Sequence, residues 1–250
     1  VERRAGGLVS AGNTGAAVAC AVRLWKTLPE VRRPGIAVTF SGIGRPVTVI
    51  DVGANVSCKP RDLLIYAYMA SAYARDYLGT ETPRVGLMNI GAEDAKGNKL
   101  TKETYSLFRE SEINFVGNVE GRDVFRGSCD VIVCEGFVGN VILKLSEGLA
   151  QNLLLFFQAE MEGGGIGKEL RRTILGRVQR NVDYSEYGGA LLLGVDGVCV
   201  ICHGHSDAKA IANAINLAAK AMEKGLNRHI SETIEKDLKK FGGRNSQARS

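Results

Sequence analysis

Asp130-Val-Ile-Val-Cys-Glu-Gly-Phe-Val-Gly-Asn140 decides how this chain is read. Val131–Cys134 is an apolar run too short for a helix and rich in β-branched residues, so it reads as a strand buried on both faces. Glu135-Gly-Phe-Val-Gly-Asn140 is a polar, glycine-bearing loop. Behind it, Asn140–Glu162 reads as a helix of about 34 Å. Strand, glycine loop and helix in that order are the unit of an α/β fold.

The same unit recurs outward in both directions. Further strands are expected at Gly7–Ser10, Ile36–Phe40, Val47–Asp51, Val85–Asn89, Asn114–Val116 and Val198–Cys202. Helices are expected at Asn13–Thr27, Arg61–Leu78, Lys102–Glu110, Gly167–Arg180 and Asp207–Lys224. The alternation predicts an α/β fold of three layers around a largely parallel mixed sheet. In such sheets ligands bind beyond the strand ends, where helix N-termini aim N–H groups at them.

Asn140–Glu162 and Gly167–Arg180 flank a glycine run and together read as a protruding helical hairpin, residues 140–180. Leu153, Leu154, Leu155, Phe156 and Phe157 are apolar around the whole helix. They are expected either in a dimer interface or as a tip dipping into a membrane surface. Residues 1–230 are taken as one α/β domain and 231–250 as a C-terminal helix with a basic tail. Val1-Glu-Arg-Arg4 reads as the tail of a helix, so an upstream part is expected.

Composition narrows the function classes. The net charge of +5 suits anionic small molecules, acidic partners or an anionic membrane surface. Basic residues are not interleaved with aromatics, and Lys239, Lys240, Arg244 and Arg249 read as a solvated terminus, so nucleic acid is not expected. Most of the six cysteines sit inside apolar runs, as small hydrophobes of a reducing cytoplasm. Cys199-Val-Ile-Cys-His203 has the spelling of a haem attachment site. Both cysteines lie within an apolar strand and one spelling match is weak, which argues against haem. Zinc from Cys199, Cys202, His203 and His205 is not expected, because a spacing of three along a strand puts the two thiols on opposite faces.

Six glycine-polar loops carry the candidate chemistry. Ser10-Ala-Gly-Asn-Thr-Gly15 reads as an anion cradle, with Ser10, Gly12, Asn13, Thr14 and Gly15 at a helix start, or as a capped helix start without ligand. Asp51-Val-Gly-Ala-Asn55 with Cys58-Lys-Pro60 places Asp51, Asn55 and Lys59 at another strand end. There Asp51 orients a ligand or forms a turn. Lys96 shares a loop with Glu93 and Asp94, as a proton donor, an anion binder or a solvated surface residue. Asn118 and Glu120 follow the next strand. Gly139 and Asn140 open the long helix, where Asn140 caps the backbone or turns to a ligand. His203 lines the same pocket or pairs with backbone.

Eight blocks resemble the signatures of the phosphate acyltransferase family (PlsX): Ser10–Ala16, Asp51–Asn55, Cys58–Pro60, Lys96–Asn98, Asn118–Asp123, Gly136–Asn140, Glu186–Gly189 and Cys202–Gly204. The resemblance implies a fold of the isopropylmalate dehydrogenase/phosphotransacetylase group and a homodimer. It implies acyl transfer from acyl carrier protein to inorganic phosphate, in phospholipid and fatty acid synthesis. It further implies peripheral contact with the inner membrane surface from the cytoplasm. No metal or nucleotide cofactor is implied, because the phosphopantetheine arrives on the acyl carrier protein. Lys96 is then expected to protonate the leaving thiol, and Asn140 to hold the reacting carbonyl or phosphate. Arg122 and Arg126 are expected to dock the acidic carrier. Alternatives are a phosphotransacetylase-like enzyme using acyl-coenzyme A and a non-catalytic membrane scaffold. The chain departs from the family in having no matching upstream segment and a short stretch between Ile36 and Pro46.

Overall fold

The computed structural model describes residues 5–41, 44–163 and 189–247, together with 169, 170, 173 and 176, which are helical. Most of the expected second hairpin limb, Gly167–Arg180, and Glu186–Gly188 lie outside the described residues, as does Arg249.

Eight strands form one sheet: β1 (Gly7–Ser10), β2 (Gly35–Ser41), β3 (Pro46–Ile50), β4 (Arg84–Met88), β5 (Asn114–Val119), β6 (Val131–Val133), β7 (Ala190–Leu193) and β8 (Val198–Ile201). Their spatial order is β1-β8-β7-β2-β3-β6-β4-β5. Alternate side chains supply two apolar layers, as the pleat requires. Val131, Val133, Leu191, Leu193, Val198 and Val200 fill one; Ile132, Leu192, Cys199 and Ile201 fill the other. Cys199 and Cys202 fall in different layers, as their spacing predicts.

Among the described residues the faces are covered by the helices α1 (Thr14–Trp25), α2 (Pro60–Leu78), α3 (Lys99–Glu110), α4 (Gly136–Gly163), α5 (Ala208–Glu223) and α6 (Leu226–Gln247). α2 is the core helix, buried from Asp62 to Ala70 without a break. Pro60 starts it where no N–H is needed, the Asp62 carboxylate accepts from Lys59 N at 2.7 Å, and Gly79 ends it in the left-handed conformation (φ 68°). Tyr66 on this helix is fully buried, so Tyr66→Ala removes a core aromatic at about 3–5 kcal/mol. α6 packs Leu226, Ile230 and Ile234 into the same layer. It begins at Leu226, ahead of the expected boundary at 231.

Strand direction differs from what the loops alone suggest. β1 is parallel to β8, and β3, β6, β4 and β5 are parallel to one another. The centre is antiparallel: β8 with β7, β7 with β2, and β2 with β3. β1, β2 and β8 therefore run opposite to the rest. The Ser10–Gly15 loop leaves the sheet at one end, and the loops after β3, β4, β5 and β6 leave at the other. The strands are so short that the gap is small, since four residues span about 13 Å.

Candidate active site

The site starts from a turn and a helix that meet at backbone distance. Asp51 follows β3, is fully buried, and its carboxylate accepts from the N–H groups of Ile36, Gly53, Ala54 and Asn55 and from Asn55 Nδ2, at 2.8–3.2 Å. Burial pushes this carboxyl up from its ordinary value, and the donors from Ala54, Asn55, Ile36 and Gly53 pull against that. Of the two readings of Asp51, the structure shows the turn-former. Asn55 Nδ2 also reaches Pro34 O and the Tyr66 hydroxyl, at 2.7 and 2.9 Å, so it too belongs to the turn's framework.

α4 begins on this turn. Gly136 N donates to Asn55 O at 2.8 Å, and a Cβ at Gly136 would come within 2.7 Å of that oxygen. A Cβ at Gly139 would overlap Asp51 O. The helix is capped by Glu135, whose carboxylate accepts from Phe137 N and Val138 N at 2.6 and 3.1 Å. Asn140 is therefore not the cap, as one reading of the sequence had it. It lies one turn inside the helix, with its amide over Gly53. The helix starts earlier than expected because a glycine costs about 1 kcal/mol of propensity, less than the packing and capping gained here.

A cleft of about 250 Å³ opens beside this junction. Its floor is the sheet face: Ile36, Val38, Val52, Ala190 and Ile201, with Leu143 from α4. Its rim joins both ends of the sheet. Gly53, Val56, Gly136, Phe137 and Asn140 come from one end, and Thr14, Cys202 and His203 from the other. The wall between them is α4, which presents Asn140, Lys144 and Glu147 along one face (i, i+4, i+7). His203 Nε2 lies 2.9 Å from Glu147 Oε1, and Lys144 Nζ donates to Glu147 Oε2 at 2.9 Å. Burial raises the Glu147 carboxyl, but the bonds from Lys144 and His203 outweigh it and hold it below its ordinary value.

The remaining expected residues divide by location. Thr14, Asn140 and His203 share the cleft, with Gly53, which the sequence reading did not single out. Asn13 caps α1, accepting from Ala16 N at 2.9 Å, and Ser10 Oγ accepts from Gly12 N at 3.4 Å. A Cβ at Gly12 or Gly15 would meet only ordinary contacts, and the loop is exposed, leaving room for a ligand against the backbone. Lys59 starts α2 and lines a separate surface pocket with Arg32 and Asp62. Glu120 caps a short 3-10 turn, Gly121–Phe125, and pairs with Arg122 at 3.0 Å. Lys96 is exposed in the loop after β4, outside the cleft lining but at the same end of the sheet as Asn140. Asn118 Nδ2 donates to Glu93 O at 2.9 Å and Asn89 Nδ2 to Lys96 O at 3.1 Å, so neighbouring strand ends tie this loop down. Leu153–Phe157 lie in the C-terminal half of α4, and four of the five are exposed.

Sequence reading missed Lys144, Glu147 and the apolar floor. The spacing of Lys144 and Glu147 from Asn140 was the available signal. Reactive thiols are absent from this site. Burial pushes Cys58 up to about 11, Cys134 well above its ordinary value and Cys202 upward, so none offers a thiolate at neutral pH. Among the described residues, no group of three or more His, Cys, Asp and Glu is arranged to hold a metal.

The fold is that of the phosphotransacetylases. The chain superposes on the EutD phosphotransacetylase from Staphylococcus aureus with a TM-score of 0.56 at 16% identity, over 87% of this chain and 63% of that one. A phosphotransacetylase from Streptococcus pyogenes matches with a TM-score of 0.56 at 14% identity, over 88% and 64%. At the sequence level, residues 1–229 match the model of the fatty acid synthesis protein family, and the chain belongs to that family. Relatives named phosphate acyltransferase include that of Nitratidesulfovibrio vulgaris (strain DP4), 49% identical over 247 residues, 96% of this chain and 72% of the relative. That of Desulforamulus reducens is 49% identical over 238 residues, 94% of this chain and 72% of the relative. Membership makes the chain a transferase of acyl groups.

Proposed function

We propose that the chain transfers a fatty acyl group from the thioester of acyl carrier protein to inorganic phosphate, releasing acyl-phosphate and free carrier protein. One observation carries this reading: a single cleft joins the exposed Ser10–Gly15 helix start, through Thr14, to Asn140 and Gly53 above an apolar floor. The floor suits an acyl chain, and the rim supplies donors for an anion and a carbonyl oxygen.

The chemistry needs little beyond placement. Phosphate is already an anionic nucleophile at neutral pH. One of its oxygens attacks the thioester carbon, a C–O bond forms, the C–S bond breaks, and the thiolate takes a proton. Holding the two reactants in line supplies about 7–11 kcal/mol of the barrier reduction. A donor such as the Asn140 amide on the developing oxyanion is worth about 3–4 kcal/mol. Lys96 is assigned the proton for the departing thiol. With no thiolate in the cleft, direct attack by phosphate is preferred to a covalent acyl-enzyme.

Acyl carrier protein and inorganic phosphate are the partners of this reaction. The phosphopantetheine belongs to the carrier, and the chain itself is assigned no metal or nucleotide. A homodimer is supported by α4, where Val141, Leu145, Leu149 and Leu153 form an exposed apolar row at spacing four, with Leu145 69% and Leu149 54% exposed. Continuation of that row into Phe156 and Phe157 supports peripheral contact with the inner membrane surface from the cytoplasm. No helix among the described residues is long and apolar enough to cross a membrane.

The test is acyl-phosphate release from matched acyl-carrier and acyl-coenzyme A donors at saturating phosphate. Faster turnover of the carrier-bound donor supports the reading. Preference for coenzyme A makes the enzyme a phosphotransacetylase in substrate as well as in fold, and no turnover of either leaves a non-catalytic scaffold.

A further inference from the structure

α4 carries a cation that the acyl-transfer scheme has not used. Among the described residues that line the cleft, Lys144 is the only lysine or arginine. Its ammonium donates to Glu147 Oε2 at 2.9 Å and stands 3.5 Å from His203 Nε2. Lys144 is 52% exposed, whereas Glu147 is 17% and His203 30% exposed. The carboxylate is thus the fixed member of the cluster and the ammonium the accessible one. An ammonium has three donors, and with one on Glu147 and at most one more shared with His203 at 3.5 Å, at least one is left for the cleft.

A phosphate dianion entering a half-enclosed cleft loses water, and it stays there only if its charge is met by donors or a cation. Thr14 and Asn140 supply neutral donors. Lys144, one helical turn beyond Asn140 on the same face, supplies the charge. Glu147 sits three residues on, where it sets the direction of the lysine side chain without entering the cleft lining.

We propose that Lys144 contacts the phosphate substrate and that Glu147 is a positioning residue for its ammonium; the proposal rests on the acyl-transfer reading only in taking that phosphate as a substrate. Lys144→Met is expected to raise the KM for inorganic phosphate at least tenfold, more than it lowers kcat, with the KM for acyl carrier protein within about twofold; such a loss is typical of one charge-assisted contact. Lys144→Arg, which keeps the charge, is expected to recover part of the phosphate KM. Glu147→Gln is expected to raise that KM in the wild-type background and to leave it unchanged in the Lys144→Met background, which general damage to the helix would not do.

The direct experiment is the 31P line width of inorganic phosphate titrated with wild type and with Lys144→Met. Broadening by wild type that is lost in the variant supports the proposal even if no acyl-phosphate is made, in which case only the reaction assigned above fails. Equal broadening by the two proteins, or a variant whose KM changes for the carrier protein and not for phosphate, overturns it. If Lys144→Met does not fold, Lys144→Arg decides, and a phosphate KM equal to wild type in both Lys144→Arg and Glu147→Gln overturns it as well.

Discussion

Gly139 of α4 lies against the backbone carbonyl of Asp51 so closely that a Cβ at this position would overlap the oxygen. Backbone meets backbone there, and no side chain can rotate aside. This contact holds the start of α4, and with it Asn140, against the turn that borders the cleft. Gly148, on the same helix, has nothing within 4 Å of an added Cβ. Gly139→Ala therefore loses more to overpacking, about 1–3 kcal/mol, than the roughly 1 kcal/mol it gains in helix propensity. Gly148→Ala keeps only the gain, about 1 kcal/mol. Urea denaturation of the two variants is expected to move in opposite directions; stabilisation by Gly139→Ala contradicts the close contact.

Acid stability is expected to depend on Asp130. Burial pushes its carboxyl up, but Arg84 donates to it from its backbone N, from Nε and from Nη2 at 2.8–3.0 Å and holds it below its ordinary value of 3.8. A carboxylate depressed in the folded state contributes stability above its unfolded pKa and loses it as pH falls through the folded one. Asp130→Asn is expected to cost about 1.5–3 kcal/mol at neutral pH and to flatten the loss of stability below 3.8. An unchanged acid limb of the stability curve excludes this pair as its source.

The apolar row on α4 gives two separable outcomes. Leu145→Glu with Leu149→Glu is expected to shift the protein toward monomer in sedimentation velocity. Leu154→Glu with Phe157→Glu is expected to weaken co-flotation with liposomes. If the first pair leaves the mass unchanged, α4 is not the dimer face; if the second leaves flotation unchanged, the membrane assignment of this stretch fails.

Lys96 is tested by where its loss acts. Lys96→Ala is expected to lower turnover by at least tenfold with carrier affinity little changed, as for loss of a proton donor. Equal turnover removes Lys96 from the mechanism. A change in affinity alone makes it a docking residue.

Much of this architecture was readable in the chain. Val131–Val133 and Val198–Ile201 announce buried strands because both faces of the sheet are covered, and Asn13 and Asp207 mark helix starts as caps. The Asn98 cap was passed over, so the helix expected from Lys102 begins at Lys99. Strand direction was harder, because apolar runs carry no arrow. The short span between Ser41 and Pro46 was the missed clue, since parallel strands need a connection of a dozen or more residues. Ala190–Leu193 escaped for another reason: its leucines suit helix as well as strand, and only pairing with β2 and β8 decides. In the site, Thr14, Asn140 and His203 followed from their loops. Lys144 and Glu147 did not, because a helix rich in exposed apolar residues drew attention to its other face. That opposite ends of the sheet share one cleft follows from strand length and α4, neither of which a single loop reveals.

The most direct measurement is the transfer itself. Purified wild type and Asn140→Ala are incubated with acyl-[acyl carrier protein] and 32P-phosphate, and acyl-[32P]phosphate is counted. Radiolabelled product from wild type, reduced by about 100-fold or more in Asn140→Ala as for loss of one oxyanion donor, is the expected result. Absence of product from wild type, or equal product from both proteins, contradicts a cleft in which α4 presents Asn140 to the reacting carbonyl.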